Sequence, residues 1–143
     1  MSAVYLDTSV LVAYYVPEVH SVQAEAAILA ASDRVVSSLC LSEAAAELRA
    51  KVHSGVLTSD QGIAARDQFI AHYQGGFFRV QQLEERHFEH AAAVVWQVTV
   101  RVRTLDALHL AVAQLAGMRL ATADERLRDA ARSAQVAVDW AGA

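Results

Sequence analysis

Two rhythms of apolar residues alternate along the chain: short β-branched or aliphatic runs, and longer Ala- and Leu-rich stretches with helical spacing. That alternation predicts a parallel sheet covered on both faces by helices. Ala3 to Leu6 reads as a buried first strand, followed by a helix from Val10 to Val16 that Pro17 closes because it lacks the backbone donor to continue. Val19 to Ala31 is a second helix, Arg34 to Ser37 a second strand, and Leu39 to His53 a helix stopped by Gly55. Thr58 or Ser59 caps a helix running to Tyr73, which Gly75-Gly76 breaks, and Phe77 to Leu83 has the aromatic, β-branched character of a third strand. Glu84 to Val98 is helical, with acids in the first turn where the helix dipole favours them. Thr104 caps a helix from Leu105 to Ala116 that ends at Gly117; apolar on nearly every side, it is expected to lie buried against the sheet. Met118 to Thr122 forms strand four, Asp124 to Arg132 a helix, and Gln135 to Val138 a last strand. No repeat, low-complexity tract or linker interrupts this order, so one domain spanning residues 1–143 is expected.

Composition narrows the class. Hydrophobic residues make up 55% and charged residues 20% of the 143, with one Pro and six Gly, which describes a chain that buries a core rather than a disordered one. A chain of this size hides roughly two-thirds of its unfolded surface, so it needs no disulfide. The single cysteine, Cys40, is read as a packing residue and fits a reducing, cytoplasmic compartment. The start from Met1 to Asp7 lacks the basic region of a signal peptide. The greasiest segment, Leu105 to Ala116, carries Asp106 and His109, and no run approaches the roughly 18 apolar residues of a membrane span.

Net charge is -4 and the pI about 5.8, which argues against a general nucleic-acid binder. The objection weakens if several acids converge on one metal ion, leaving Arg49, Lys51, Arg79, Arg101 and Arg103 to meet phosphates. Apart from Lys51 every basic residue is Arg, whose fork suits bidentate phosphate contact.

The acids do fall in a pattern. Asp7 follows the first strand, Glu43 lies early in the helix after the second, Asp106 is two residues past Thr104, and Asp124 follows the fourth strand. In a parallel sheet the carboxyl ends of the strands share one edge, and ligands bind in the crevice there. Asp7, Glu43 and Asp124 are therefore expected at that edge, and the start of its helix permits Asp106 to join them. Taken singly, Asp7, Asp106 and Asp124 could be helix caps or dipole partners, and Glu43 a solvated helix residue one turn from Glu47. Taken together they are harder to explain as structure. Asp7 and Asp106 stand among apolar residues, where an unpaired charge costs about several kcal/mol, so either a cation holds them or their pKa values rise. Oxygen-only ligands point to a hard ion that keeps some of its waters, Mg²⁺ or Mn²⁺, and to phosphodiester hydrolysis as the chemistry.

Val4-Tyr5-Leu6-Asp7-Thr8-Ser9, Leu41-Ser42-Glu43, Arg103-Thr104-Leu105-Asp106-Ala107-Leu108-His109-Leu110-Ala111 and Thr122-Ala123-Asp124-Glu125-Arg126-Leu127 resemble, in order, the four acidic motifs of PIN domains. The resemblance runs from Val4 to about Ala131, and the chain length resembles the VapC-type toxins of VapBC toxin-antitoxin pairs rather than larger multidomain PIN proteins. It implies a three-layer α/β/α fold with a central, mainly parallel sheet of four to five strands, and an RNA-cleaving site that binds Mg²⁺ or Mn²⁺. By position Asp7, Glu43, Asp106 and Asp124 would be the catalytic acids. Asp7 and Asp106 would be the main metal ligands, Asp124 a third ligand direct or through water, and Glu43 a water orienter or second-metal ligand. Thr8, Ser9 and Thr122 would support them by hydrogen bonds. The resemblance also implies homodimers and a partner antitoxin that inserts side chains, often an Arg, near the acids.

Other signals are weaker. His87 and His90 stand i,i+3 on a helix but no Cys or further ligand completes a zinc set. His109, one turn from Asp106, reads first as a hydrogen-bonded core histidine, Glu47 as a solvated or paired acid, and Trp96 and Trp140 as core or core-edge packing. Two other functions compete: a PIN-like RNA-binding module without catalysis, and a haloacid-dehalogenase-like phosphatase. The phosphatase wants a second acid two residues after the first, where Ser9 stands, and a catalytic lysine, where only Lys51 exists.

Overall fold

Five short strands, β1 (Ala3–Leu6), β2 (Asp33–Ser37), β3 (Arg79–Gln81), β4 (Arg119–Thr122) and β5 (Val138–Trp140), pair entirely in parallel in the order β3-β2-β1-β4-β5. This is the arrangement in a computed structural model describing residues 3–143; the Met1-Ser2 start of the leader reading lies outside the described residues. Seven helices connect the strands: α1 (Thr8–Tyr15), α2 (Ser21–Ala30), α3 (Ser38–His53), α4 (Ser59–Gly75), α5 (Glu85–Gln97), α6 (Thr104–Ala116) and α7 (Glu125–Ser133). The chain grows outward from β1 through β2 to β3, then returns to the other side of β1 for β4 and β5. Because strand–crossover–strand connections are right-handed, that reversal places the first helices on one face and the later ones on the other. Accordingly α1 packs with α2, α3 and α4, while α5 packs on α6, and α7 on β4 and β5.

Burial follows from the two covered faces. Tyr5, Leu6, Val35, Val36, Leu120 and Ala121 are buried as consecutive neighbours, so both faces of the central strands are dry, as parallel sheets require. Strand β1 is central and pairs β2 at Tyr5–Val35 and β4 at Tyr5–Leu120. Its carboxyl end sits at the point where strand order reverses, the place where open α/β sheets open a crevice.

Local chemistry sets most boundaries. Thr58 caps α4 by a reciprocal box with Gln61, and Gly76 closes it at φ +86°. Gly117 closes α6 at φ +63°. Several expectations need correction. Thr104 does not cap α6: Arg103 holds the cap position without a side-chain cap bond, and Thr104 is the first helical residue. The last strand is Val138–Trp140, not Gln135 to Val138, because α7 ends in a Schellman turn. In that turn Gln135 takes φ +60°, its N–H bonds Arg132 C=O at 3.1 Å, and Val136 N–H bonds Ala131 C=O at 2.8 Å. Trp96 does not pack in the core; it is 90% exposed on α5. Trp140 is likewise exposed, at the end of β5, with the Arg128 guanidinium 4.6 Å from its ring centroid. Arg79 and Lys51 are not free for phosphates, since Arg79 pairs with Asp33 at 2.9 Å and Lys51 with Glu18.

Candidate active site

A cleft of about 420 Å³ opens at the carboxyl edge of the sheet, and Asp7, Glu43, Asp106 and Asp124 all line it, with Thr8, Ser9 and His109 between them. Each acid arrives from a different element. Asp7 follows β1 and caps α1, Glu43 sits on α3, Asp106 in the first turn of α6, and Asp124 caps α7 after β4. Capping and convergence are thus compatible: a residue between a strand end and a helix start belongs at once to the helix terminus and to the crevice.

Asp7 is 3% exposed, and its two oxygens are held differently. Oδ1 accepts from Ser9 Oγ at 2.6 Å and from Val10 N–H at 3.2 Å, while Oδ2 accepts from Thr122 Oγ1 at 2.7 Å. Ser9 Oγ in turn accepts from Ala123 N–H at 3.0 Å, and Thr122 Oγ1 from Asp124 N–H at 3.0 Å, so the two hydroxyls tie the ends of β1 and β4 together. Burial pushes the Asp7 carboxyl above the ordinary carboxylate range despite the opposing charge of His109 and the hydrogen bonds from Ser9, Thr122 and Val10. Asp106 is raised as well, first by burial and then by the negative charge of Asp124, with His109 and Arg103 acting against them. Asp124 uses Oδ1 for its cap, accepting from Arg126 N–H at 2.8 Å and Leu127 N–H at 3.4 Å.

Glu43 is arranged to stay ionised. Burial alone would raise its carboxyl, but hydrogen bonding and charge from His109, joined by Thr8, outweigh that and hold it low. Oε1 lies 2.6 Å from His109 Nε2 and 2.6 Å from Thr8 Oγ1. A carboxylate only accepts, so His109 carries a hydrogen on Nε2, and its Nδ1 shares a hydrogen bond of 2.6 Å with the Tyr5 hydroxyl. Tyr5 is itself 2.8 Å from Ser37 Oγ. The result is a buried chain, Ser37 to Tyr5 to His109 to Glu43, running from beneath the sheet into the cleft. His109 is thus both a core histidine and a wall of the site. Tyr5 carried no signal beyond being an aromatic residue in an otherwise aliphatic first strand.

Among the described residues no three His, Cys, Asp or Glu side chains stand close enough together to hold a metal ion between them. The donors that line the cleft are carboxylate oxygens along an open wall, which suits a hard cation that retains water rather than one fully enclosed by protein. His87 and His90 are engaged elsewhere: His87 Nδ1 accepts from Glu84 N–H at 2.9 Å, and His90 Nε2 lies 2.7 Å from Gln114 Oε1. Glu47 lines the cleft from its exposed side, together with Glu18 and His20.

Fold and site together define a doubly wound α/β protein whose crevice, at the reversal of strand order, gathers acids from four separated segments. The PIN domain family model matches residues 4–133, and the chain belongs to the PIN-domain family. It is 33% identical to Ribonuclease VapC46 of Mycobacterium tuberculosis over 96% of this chain and 97% of that protein. Solved structures with the same fold include VapC20 of Mycobacterium tuberculosis, a toxin that cleaves the sarcin-ricin loop. It matches with a TM-score of 0.72 at 18% identity, over 89% of this chain and 94% of that one. DNA-bound VapBC from Salmonella typhimurium matches with a TM-score of 0.69 at 18% identity, over 98% of each chain. At such identities these two structures establish the fold alone.

Proposed function

We propose that this protein is a metal-dependent endoribonuclease of the VapC type, the toxin of a toxin-antitoxin pair, with Asp7, Glu43, Asp106 and Asp124 as its catalytic acids. The observation that carries the reading is the convergence of those acids in one cleft, with Asp7 and Asp106 both pushed above the usual carboxylate range by burial. Carboxyls that resist ionisation in an open, water-accessible cleft suit a site completed by a cation. Asp7, Asp106 and Asp124 would hold Mg²⁺ or Mn²⁺, which when bound supplies a Lewis acid for a phosphodiester and an activated water. Ser9 and Thr122 hold the Asp7 carboxylate, and Thr8 holds that of Glu43. Glu43, kept ionised by His109 and Thr8, would accept a hydrogen bond from the attacking water and orient it. The whole-length similarity to a ribonuclease supports RNA as substrate.

An antitoxin partner fits the company of toxin-antitoxin assemblies among the structures of the same fold. A homodimer and a cytoplasmic location complete the proposal; no helix among the described residues is long and apolar enough to cross a membrane. The test is incubation with RNA, with and without Mg²⁺ or Mn²⁺, beside Asp7→Asn and Asp106→Asn. Metal-dependent cleavage by wild type and at least a 100-fold loss in both variants, the scale of removing a preorganised transition-state stabiliser, is expected. Equal cleavage by all three would refute it, and metal-dependent RNA binding without any cleavage would favour the non-catalytic module. Growth arrest on induction, relieved by a short neighbouring gene product, tests the toxin assignment.

A further inference from the structure

Most cations on this surface are already matched. Lys51 pairs with Glu18, Arg66 with Asp67, Arg79 with Asp33, Arg86 with Glu84, Arg119 with Asp139 and Arg128 with Asp129. Arg34 donates to the Ile28 carbonyl and stacks over Phe77. Among the described residues Arg49, Arg101, Arg103, Arg126 and Arg132 have no carboxylate within ion-pair distance; of these Arg101, Arg103 and Arg126, all exposed, together line one cavity of about 490 Å³. Among the described residues the cavity is otherwise lined by Asp106 alone, which also lines the acidic cleft, so the two spaces adjoin.

The positions of these arginines run against what the local fold favours. Arg103 holds the cap position of α6, where Ser, Thr, Asp or Asn is preferred. Arg126 is the second residue of α7. Both are therefore cations at helix N-termini, the end where the dipole favours negative charge. An anion in the cavity would meet three guanidinium forks and offset their mutual repulsion. The volume is that of a small-ligand site rather than of a single ion.

We propose that Arg101, Arg103 and Arg126 form a phosphate-binding subsite for single-stranded RNA, holding a backbone phosphate beside the one cut in the acidic cleft; this rests on the nuclease reading above. In a chain of net charge -4 such a local cluster supplies the attraction that the whole molecule lacks.

The test measures the affinity of a fluorescent single-stranded RNA in EDTA across a salt series, for wild type, the combined Arg101→Ala, Arg103→Ala, Arg126→Ala variant, and the same three changed to Lys. Releasing the counterions of that one neutralised phosphate contributes about 0.7 to the slope of log affinity against log salt. The Ala variant is expected to lose about that much slope and bind at least roughly 10-fold more weakly at low salt, while the Lys variant keeps most of the slope. Arg66→Ala, at a paired arginine elsewhere, is expected to leave both unchanged, and unaltered melting temperatures show that the fold persists. Wild-type slope and affinity in the Ala variant overturn the subsite and leave the nuclease reading standing. Absence of RNA binding and of RNA cleavage by wild type overturns both. Equal binding of polyglutamate through the same arginines overturns the RNA assignment and identifies a surface for protein carboxylates.

Discussion

Tyr5 and His109, 104 residues apart in the chain, share a buried hydrogen bond of 2.6 Å, and through it the first strand sets the ring that holds Glu43. Tyr5→Phe leaves a buried Nδ1 without its hydrogen-bond partner. It should cost about 1–3 kcal/mol of stability, the scale for an unsatisfied buried polar group. If the ring positions Glu43, kcat falls roughly 10-fold as well, about 1.4 kcal/mol of transition-state stabilisation. Cleavage of a fluorogenic RNA alongside thermal unfolding separates the two effects. A lower melting temperature with unchanged kcat would reduce the chain of hydrogen bonds to core packing.

Asp124 has a cap and a carboxylate, and substitution can separate them. Asp124→Ser keeps an oxygen for the N–H groups of Arg126 and Leu127, so stability should stay within about 0.5 kcal/mol of wild type. Asp124→Ala loses about 1 kcal/mol. Both should lose at least roughly 10-fold in activity if the carboxylate serves the site, a loss of about 1.4 kcal/mol or more. Full activity in Asp124→Ser would confine the residue to capping.

Burial raises Asp7, and the direction of that shift fixes a pH dependence. A carboxyl with a folded pKa above its unfolded value, about 3.9 for Asp, stabilises the fold fully below the unfolded value. That contribution disappears as pH climbs through the raised folded value. Glu43 runs in the opposite sense: its stabilisation is present above the unfolded carboxyl value and is lost as pH falls through the lowered folded one. Metal-free protein should therefore melt higher at pH 7 as Asp7→Asn than as wild type, an advantage that shrinks toward pH 4. Saturating Mn²⁺ at pH 7 should restore wild-type stability by about 2.7 kcal/mol at a hundred times the dissociation constant. Scanning calorimetry in EDTA and in Mn²⁺ checks both, and an Asp7→Asn protein less stable than wild type in EDTA at pH 7 contradicts the sign.

Gln135 occupies the left-handed position that glycine fills most cheaply, at φ +60°. An L side chain there costs roughly 1–2 kcal/mol, against about 0.5–1 kcal/mol for the extra chain entropy glycine brings. Gln135→Gly should therefore stabilise by about 0.5–1 kcal/mol in urea unfolding, with activity unchanged.

Much of this was legible in the chain because Asp7, Glu43 and Asp124 each follow a strand, and a parallel sheet puts all such positions on one edge. Asp106 needed only the start of its helix to point the same way. What escaped depended on distant packing. The bond from Tyr5 to His109 exists only because α6 brings its third motif against β1, and no spacing in the sequence encodes it. The last strand was misplaced because Val136 and Val138 alternate like strand residues, while the turn at Gln135 uses Val136 to close α7. Trp96, read as core packing because no basic residues flank it as they would a base-stacking ring, is instead 90% exposed on α5.

The central claim is that carboxylates from separate segments share a divalent ion in one cleft. Mn²⁺ titration of the purified protein, followed by electron paramagnetic resonance of the free ion, measures this without RNA. Wild type should take up Mn²⁺ with competition from Mg²⁺, and Asp7→Asn combined with Asp106→Asn should abolish uptake while the protein stays folded. Undiminished Mn²⁺ binding by the folded double variant would contradict the account.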